Sequence, residues 1–375
     1  MTTHHIAVVP GDGTGPEVIA EAVKVLQVAA DVFDFGIETT EYDLGGQRYL
    51  RTGETLTGTD LEGFKQCDSI LFGAVGHPDV PPGVLEQDII IRIRRELDQY
   101  INLRPIKLHP GVSSPLSDVT PKDVDFVVVR ENSEGLYSGQ GSFTAKGSPF
   151  EVAVQESVNT HFAVERCVRF AFELASKRPS HHLTLCGKTN VLTYAWDLWA
   201  RVFDEVSAEF PDVTTDYAHV DAACLWMVED PGRFDVIVTD NMFGDIITDL
   251  GAAIQGGLGI ASGANMNPDG VSMFEPIGGT APGFEGTGQI NPLAAIGAIA
   301  MMLDNLGEQA AAVAVETAVG EVAGSLPSLR AGQMGATTSE VGDRVAEAVA
   351  EAVAEAVAEA VFEAITANSR DESSR

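Results

Sequence analysis

The chain is poor in base. Its 375 residues carry 23 Lys and Arg against 55 Asp and Glu, a formal charge of −32, and only seven of the bases are lysine. A surface this acidic repels phosphate backbones and anionic lipid, which argues against nucleic acid or a membrane face as a partner. The acids are scattered rather than gathered in one tail. The charge is therefore read as a whole-surface property, suited to a salt-rich cytoplasm where counter-ions screen self-repulsion. Cysteine is also scarce. Cys67, Cys167, Cys186 and Cys224 stand apart with no CxxC, which speaks against a disulfide framework or a zinc site and for a reducing, cytoplasmic setting. No apolar run reaches the ~20 residues of a membrane span. The opening MTTHHIAVVPGDG lacks the basic and then apolar pattern of a secretory leader.

What is there is an alternation of strands and helices. Ile6–Val9, Gly36–Tyr42, Ser69–Phe72, Asp125–Arg130, Leu183–Cys186 and Val236–Val238 read as strands, most of them continuous apolar runs. Helices are expected from Val18 to about Ala30, near Asp60–Gln66, between Pro149 and Pro179 after a strand, and over Leu293–Leu306. Such alternation implies a largely parallel sheet with helices on both faces, in two or three domains. The tail Val345–Ala364 repeats Val-Ala-Glu-Ala, a strong helix former that packs one stripe and leaves the rest as a solvated acidic face.

Several segments carry chemistry-bearing residues. Gly11-Asp12-Gly13-Thr14-Gly15-Pro16-Glu17 follows the first strand but matches neither the GxGxxG fingerprint nor a phosphate-binding P-loop. Gly187-Lys188-Thr189 lacks the glycine that a Walker loop needs five residues earlier, where His182 stands. Arg92, Arg94, Arg95 and Arg104 cluster around Ile89, Ile90, Ile91 and Ile93. Guanidinium forks match carboxylates. Pairing with Glu86, Asp88, Glu96 and Asp98 accounts for Arg92 or Arg95, whereas Arg94 and Arg104 suit a substrate with carboxylates and a branched apolar arm. Arg130 closes a strand and Tyr137 lies in the loop after it. Asp245 and Asp249, one helical turn apart after the strand Val236–Val238, offer hard oxygen ligands for Mg²⁺ or Mn²⁺. The same spacing also serves a solvated helix face, but Ile246, Ile247 and Leu250 draw the segment toward the core. Asp221 is a third aspartate candidate, and the glycine-dense stretch Met273–Gly286 allows backbone to lie against a flat ligand.

Taken together and in this order, GDGTGPE, IRRELDQYINLRP, RENSEGLY, GKTNVL, HVDAA, TDNMFGDIITDLGA and EPIGGTAP resemble the β-decarboxylating dehydrogenases. These include isopropylmalate, isocitrate, homoisocitrate and D-malate/tartrate members, and the likeness runs from Ile6 to about Leu306. The resemblance implies an α/β fold of two domains sharing one largely parallel mixed sheet, not a Rossmann fold. Residues 1–104 with 254–375 would form a discontinuous cofactor-binding domain, and 105–253 the substrate and dimerisation domain. An Ala/Glu-rich helix would span 345–365. It further implies a small 2-hydroxy acid substrate, NAD, and Mg²⁺ or Mn²⁺. Arg94, Arg104 and Arg130 would hold the substrate carboxylates, with Ile90, Ile91, Asn190 and Val191 also at the substrate. Asp221, Asp245 and Asp249 would hold the metal. Tyr137 and Lys188 would move protons, with Asp221 on the path. Glu275, Gly279, Thr280, Ala281, Gly283, Phe284, Glu285 and Asn291 would line the cofactor. Lys188 and Asp221 would come from the other subunit of a homodimer, a tetramer being the larger alternative.

The isoleucine run favours the isopropylmalate branch of leucine biosynthesis. A carboxylate against it would carry a desolvation cost, whereas an isopropyl group gains ~1.5–3 kcal/mol on burial. D-malate or tartrate, isocitrate and homoisocitrate are the rival substrates, and a non-catalytic regulatory subunit the remote one. Four positions depart from the family pattern. Gln87 stands near where a glutamate is usual, and Gly278 where many members have His. Gly283 and Phe284 replace both the acid of NAD-specific members and the Lys-Tyr pair of NADP-specific ones. With no base at those two positions, NAD is expected, with Glu285 as the substitute acid.

Overall fold

The computed structural model describes residues 2–352. Its strands are β1 (Thr3–Gly11), β2 (Gly36–Glu41), β3 (Ser69–Ala74), β4 (Ile101–Lys107), β5 (Asp125–Glu131), β6 (Gly141–Thr144), β7 (Val152–Gln155), β8 (His182–Gly187), β9 (Thr214–His219), β10 (Val236–Thr239), β11 (Ser262–Met266) and β12 (Ser272–Pro276). Ten of them form one sheet in the order β2-β1-β3-β12-β11-β4-β5-β10-β8-β9, and β6 and β7 pair as a separate hairpin. The strands β2, β1, β3 and β12 are parallel to one another, as are β5, β10, β8 and β9. Antiparallel pairings of β12 with β11, β11 with β4 and β4 with β5 join the two blocks. The largely parallel mixed sheet expected from sequence is thus present.

Both faces are covered, which is why the strands read as continuous apolar runs. Beside β1, β3 and β12, the helices Gly15–Phe33, Leu293–Asn305 and Gln309–Ser325 build one core. A second core gathers Leu61, Phe64, Ile70, Phe72, Ile89 and Ile93. Beside β5, β8 and β10, the helices His161–Lys177 and Thr193–Ser207 bury Trp196, Trp199 and Phe172. The helices Val220–Glu229 and Asn241–Ile254 build a fourth core around Phe126, Ile237 and Ile247.

The sequence reading passed over several elements. The helices Gly46–Thr52, Thr193–Ser207 and Gln309–Ser325 were not expected, and the run before β4 contains a π-helical turn, Glu86–Ile91. The glycine-rich stretch Gly251–Gly263 begins as the end of a helix and finishes in β11. A last helix begins at 338 and is described to 352. Within it Val345 and Val349 are fully buried while Glu347 and Glu351 face out; the remainder of the repeat, to 364, lies outside the described residues. No described helix is long and apolar enough to cross a membrane.

Candidate active site

Three arginines converge where the two blocks of the sheet meet. Asn102 and Arg104, two apart on β4, share a face of the sheet. Asn102 is flanked by Asn265 on β11 and by Arg130 on β5, while Gly263 of β11 faces Glu275 of β12. Gly263 gives Arg104 its room, since a Cβ there would lie 2.9 Å from both Cδ and Nε of the arginine. A ladder of buried amides orients the group. Arg104 Nε donates to Asn102 Oδ1 at 2.7 Å, and Asn265 Oδ1 accepts from Asn102 at 2.8 Å and from Asn132 at 3.0 Å. Asn265 in turn donates to Glu275 Oε1 at 2.7 Å, the oxygen that Arg94 reaches at 3.4 Å. Arg94 comes from the helix Arg92–Glu96, which continues the π-helical turn.

This cluster holds more positive charge than it neutralises. Burial lowers the pKa of Arg94, and burial likewise pushes Arg104 down to about 10, aided by Arg130 and Arg94 and opposed by Glu275. The Nε of Arg94 is buried and has no partner. A buried donor without an acceptor costs free energy, so the site is built to receive an anion.

Asp240 caps the helix Asn241–Ile254 by accepting from Phe243 N at 2.8 Å. Burial raises its carboxyl pKa to about 6. The cap starts the helix so that Asp245 and Asp249 stand one turn apart on its exposed side. Asp245 is shared, accepting from Arg130 Nη1 at 2.6 Å and from Tyr137 Oη at 3.0 Å. Arg130 also donates to the carbonyl and side-chain oxygens of Asn241. Burial, and then Asp245, raise the Tyr137 pKa, which keeps the phenol protonated.

A second group stands separately. Lys188, just after β8, pairs with the exposed Asp221 at 2.5 Å, and that hydrogen bond holds the carboxyl below its usual range. Asn190 is exposed and Val191 is 64% exposed. No hydrogen bond or ion pair among the described residues links this group to the arginines, to Tyr137 or to Asp245. The three-carboxylate metal set is likewise not assembled among the described residues.

A cavity of about 790 Å³ lies beside the sheet, lined by Gly279, Ala281 and Asn291 together with Thr14, Gly256 and Arg330. Of the other expected cofactor residues, Glu275 sits in the arginine cluster, while Thr280, Gly283, Phe284 and Glu285 are on the same loop but do not line the cavity. Glu285 is exposed and makes no described hydrogen bond.

Two expectations are corrected. Arg92 and Arg95 do not pair with their neighbouring acids. Arg92 donates to Leu56 O at 2.7 Å, and Arg95 to the carbonyls of Tyr137 and Ser138. Backbone acceptors brought up by the fold outcompete exposed ion pairs, whose net worth is small. Ile246 is 50% exposed rather than core, because it shares the open side of its helix with Asp245. Sequence reasoning also missed Asn102, Asn132, Asn241, Asn265 and Arg330; only the placement of the first three inside recognisable motifs could have drawn notice to them.

Comparison with known proteins identifies relatives of the chain over most of its length. The family description "Isocitrate/isopropylmalate dehydrogenase" matches residues 5–357. The chain is 51% identical over 346 residues to 3-isopropylmalate dehydrogenase of Thermobifida fusca (strain YX), covering 92% of this chain and 97% of the relative. It is 52% identical over 343 residues to 3-isopropylmalate dehydrogenase of Nocardia farcinica (strain IFM 10152), covering 91% and 98%. Among solved structures, isocitrate dehydrogenase from Methylococcus capsulatus superposes with a TM-score of 0.83 at 32% identity, over 92% of this chain and 99% of that one. With the family description matched over nearly the whole chain and relatives at about half identity, the chain belongs to the isocitrate/isopropylmalate dehydrogenase family.

Proposed function

We propose that this chain oxidises and decarboxylates 3-isopropylmalate to 4-methyl-2-oxopentanoate with reduction of NAD, as a step of leucine biosynthesis. The observation that carries the reading is the arginine cluster, with its unpartnered Arg94 Nε, set beside the isoleucine turn. Ile89 and Ile93 are fully buried there, while Ile90 and Ile91 are only partly buried and would meet the apolar arm. The names of the relatives at about half identity support this substrate over isocitrate, whose namesake structure is only 32% identical.

The donor sets fit the expected cofactors. Asp245 and Asp249 offer oxygen atoms alone, suited to Mg²⁺ or Mn²⁺, and Asp221 of a second copy would complete the set. The cavity has the size and small-residue lining that a dinucleotide requires. When bound, the divalent ion acidifies a hydroxyl and stabilises an enolate, and the nicotinamide accepts hydride.

The chain's own groups do the rest. Arg94, Arg104 and Arg130 bind the two carboxylates and fix the hydroxyl-bearing carbon. Lys188 of a second copy takes the hydroxyl proton at Nζ, with Asp221 beside it. Tyr137 gives a proton from Oη to the carbon that loses carboxylate.

NAD is favoured because Gly283 and Phe284 offer no base for a 2′-phosphate. Arg330 on the cavity wall favours a second reading, in which NADP is accepted. Initial rates at molar KCl with Mn²⁺ test both readings, using 3-isopropylmalate, D-malate and isocitrate, each with NAD and NADP. Fast NAD reduction with isopropylmalate alone supports the proposal. A preference for malate would reduce the isoleucines to core packing, and a preference for NADP would assign Arg330 to the phosphate.

A further inference from the structure

None of these roles accounts for the motif Gly11–Glu17. Its residues touch the cofactor loop rather than the substrate groups. Thr14 donates through both N and Oγ1 to Thr280 O, at 2.9 and 3.2 Å. Gly13 lies so close that a Cβ would sit 2.9 Å from Thr280 Cβ. Glu17, in the first turn of the helix Gly15–Phe33, accepts from Gly286 N at 2.6 Å on one oxygen and from Gly288 N at 2.9 Å on the other.

Apart from Thr338 N, which donates to Gly288 O at 2.8 Å at its far end, the loop has little else to hold it. A Cβ added at Gly278, Gly279, Gly283, Gly286 or Gly288 would meet nothing within 4 Å. Apart from Phe284, half-buried beside Gly332, side-chain packing does little to fix this backbone. Among the described residues, every hydrogen bond that ties 280–286 to another element comes from Thr14 or Glu17. Thr14 and Gly15 also line the cavity. Charge favours the arrangement too, since a carboxylate in a first helical turn complements the helix dipole and its hydrogen bonds to N–H are charge-assisted.

We propose that Glu17, with Thr14, is a positioning residue for the dinucleotide: it clamps the loop 280–288 in the shape that receives the cofactor before the cofactor arrives. The inference rests on the dinucleotide reading of the cavity. Preorganisation of this kind shows as affinity, because a slack loop must be ordered at the moment of binding.

The test compares the full-length protein with Glu17→Ala, Glu17→Gln and Thr14→Ala. NADH binding is followed by fluorescence titration, the KM for 3-isopropylmalate by initial rates, and hydrogen exchange of 281–285 in the cofactor-free protein. None of those amides is accepted by Glu17. Loss of two charge-assisted hydrogen bonds is expected to weaken NADH roughly tenfold in Glu17→Ala. Glu17→Gln should fall between Glu17→Ala and wild type, Thr14→Ala should move the same way by less, and 281–285 should exchange faster. The substrate KM should stay within about twofold, a split that a general loss of folding would not produce. Unchanged NADH affinity and unchanged exchange in Glu17→Ala would overturn the clamp, as would equal losses for NADH and substrate. Should Glu17→Ala not fold, Glu17→Gln and Thr14→Ala decide by the same two readouts. If wild-type protein binds no NADH, the dinucleotide reading fails, while the exchange of 281–285 still judges the clamp.

Discussion

Gly244 lies flat against the stem of Arg130. A Cβ at residue 244 would stand 2.7 Å from Arg130 Cβ and 2.8 Å from Cδ, closer than side chains approach one another. The helix that carries Asp245 can therefore sit on β5 only while residue 244 has no side chain. Gly244→Ala should cost ~1–3 kcal/mol by overpacking and turn the guanidinium away from Asn241 and Asp245. Thermal melts and substrate KM check this: the expected result is a lower Tm together with a raised KM, and a KM equal to wild type would count against Arg130 as a carboxylate ligand.

The buried cap Asp240 gives the fold a pH signature. Its carboxyl pKa is raised from 3.8 to about 6 in the folded state. The folded chain therefore binds more proton than the unfolded chain between those values, and stability falls as pH rises through that window. The fall is at most about 3 kcal/mol at 1.36 kcal/mol per unit. Asp240→Asn keeps an oxygen for Phe243 N and should flatten this part of the stability curve. Denaturant midpoints at pH 4, 5, 6 and 7 measure it, and an unaltered slope in the variant would refute the assignment.

The separation of Lys188 and Asp221 from Tyr137 makes a complementation experiment decisive. Lys188→Gln and Tyr137→Phe homodimers should each be nearly inactive. If the sites are shared between two copies as proposed, hybrids formed by refolding the two together should recover activity, because one of the two sites would then hold an intact Tyr137 and an intact Lys188. No recovery, with hybrid formation verified by mass, would mean that each chain works alone.

Ile90→Ser should lower kcat/KM for isopropylmalate by about 10–200-fold, the range for a lost apolar contact in a pocket. D-malate turnover, which has no branched arm to bury, should change little. Equal losses for both substrates would move the isopropyl group elsewhere.

The net charge predicts a salt requirement. With −32 spread over the surface, self-repulsion is relieved by counter-ions. Tm should climb from low salt to molar KCl; a Tm highest in dilute buffer would contradict this.

The strands of continuous β-branched residues, such as Val127-Val128-Val129 and Val236-Ile237-Val238, were legible because burial on both faces leaves an unbroken apolar run. The strands β11 and β12 were not. Ser262, Asn265 and Ser272 carry no apolar strand signal, yet all three are buried; Ser262 and Asn265 are satisfied by Ala294 and Asn102, far along the chain, and Ser272 by Asn267 across the turn. The site divided in the same way. Arg94, Arg104, Arg130, Tyr137 and Asp245 lie in recognisable motifs and meet in one place. The amides that aim them are set by strand register, which local sequence does not state. Arg92 and Arg95 were misread because nearby acids are visible in sequence, whereas carbonyls delivered by tertiary folding are not.

The pairing of β3 with β12 fixes an order of events during synthesis. β3 is complete at residue 74, but its partner begins at 272, so the edge of β3 waits while residues 75–271 emerge. β5, β8, β9 and β10 all fall inside that interval and can pair meanwhile. The first three strands thus wait through the synthesis of residues 75–271 with an open, largely apolar edge around Ile70, Leu71 and Phe72, the kind of surface that seeds aggregation. Such a chain gains from carrying its negative charge throughout rather than at one end, since every emerging segment then repels its neighbours on the ribosome before the sheet can close.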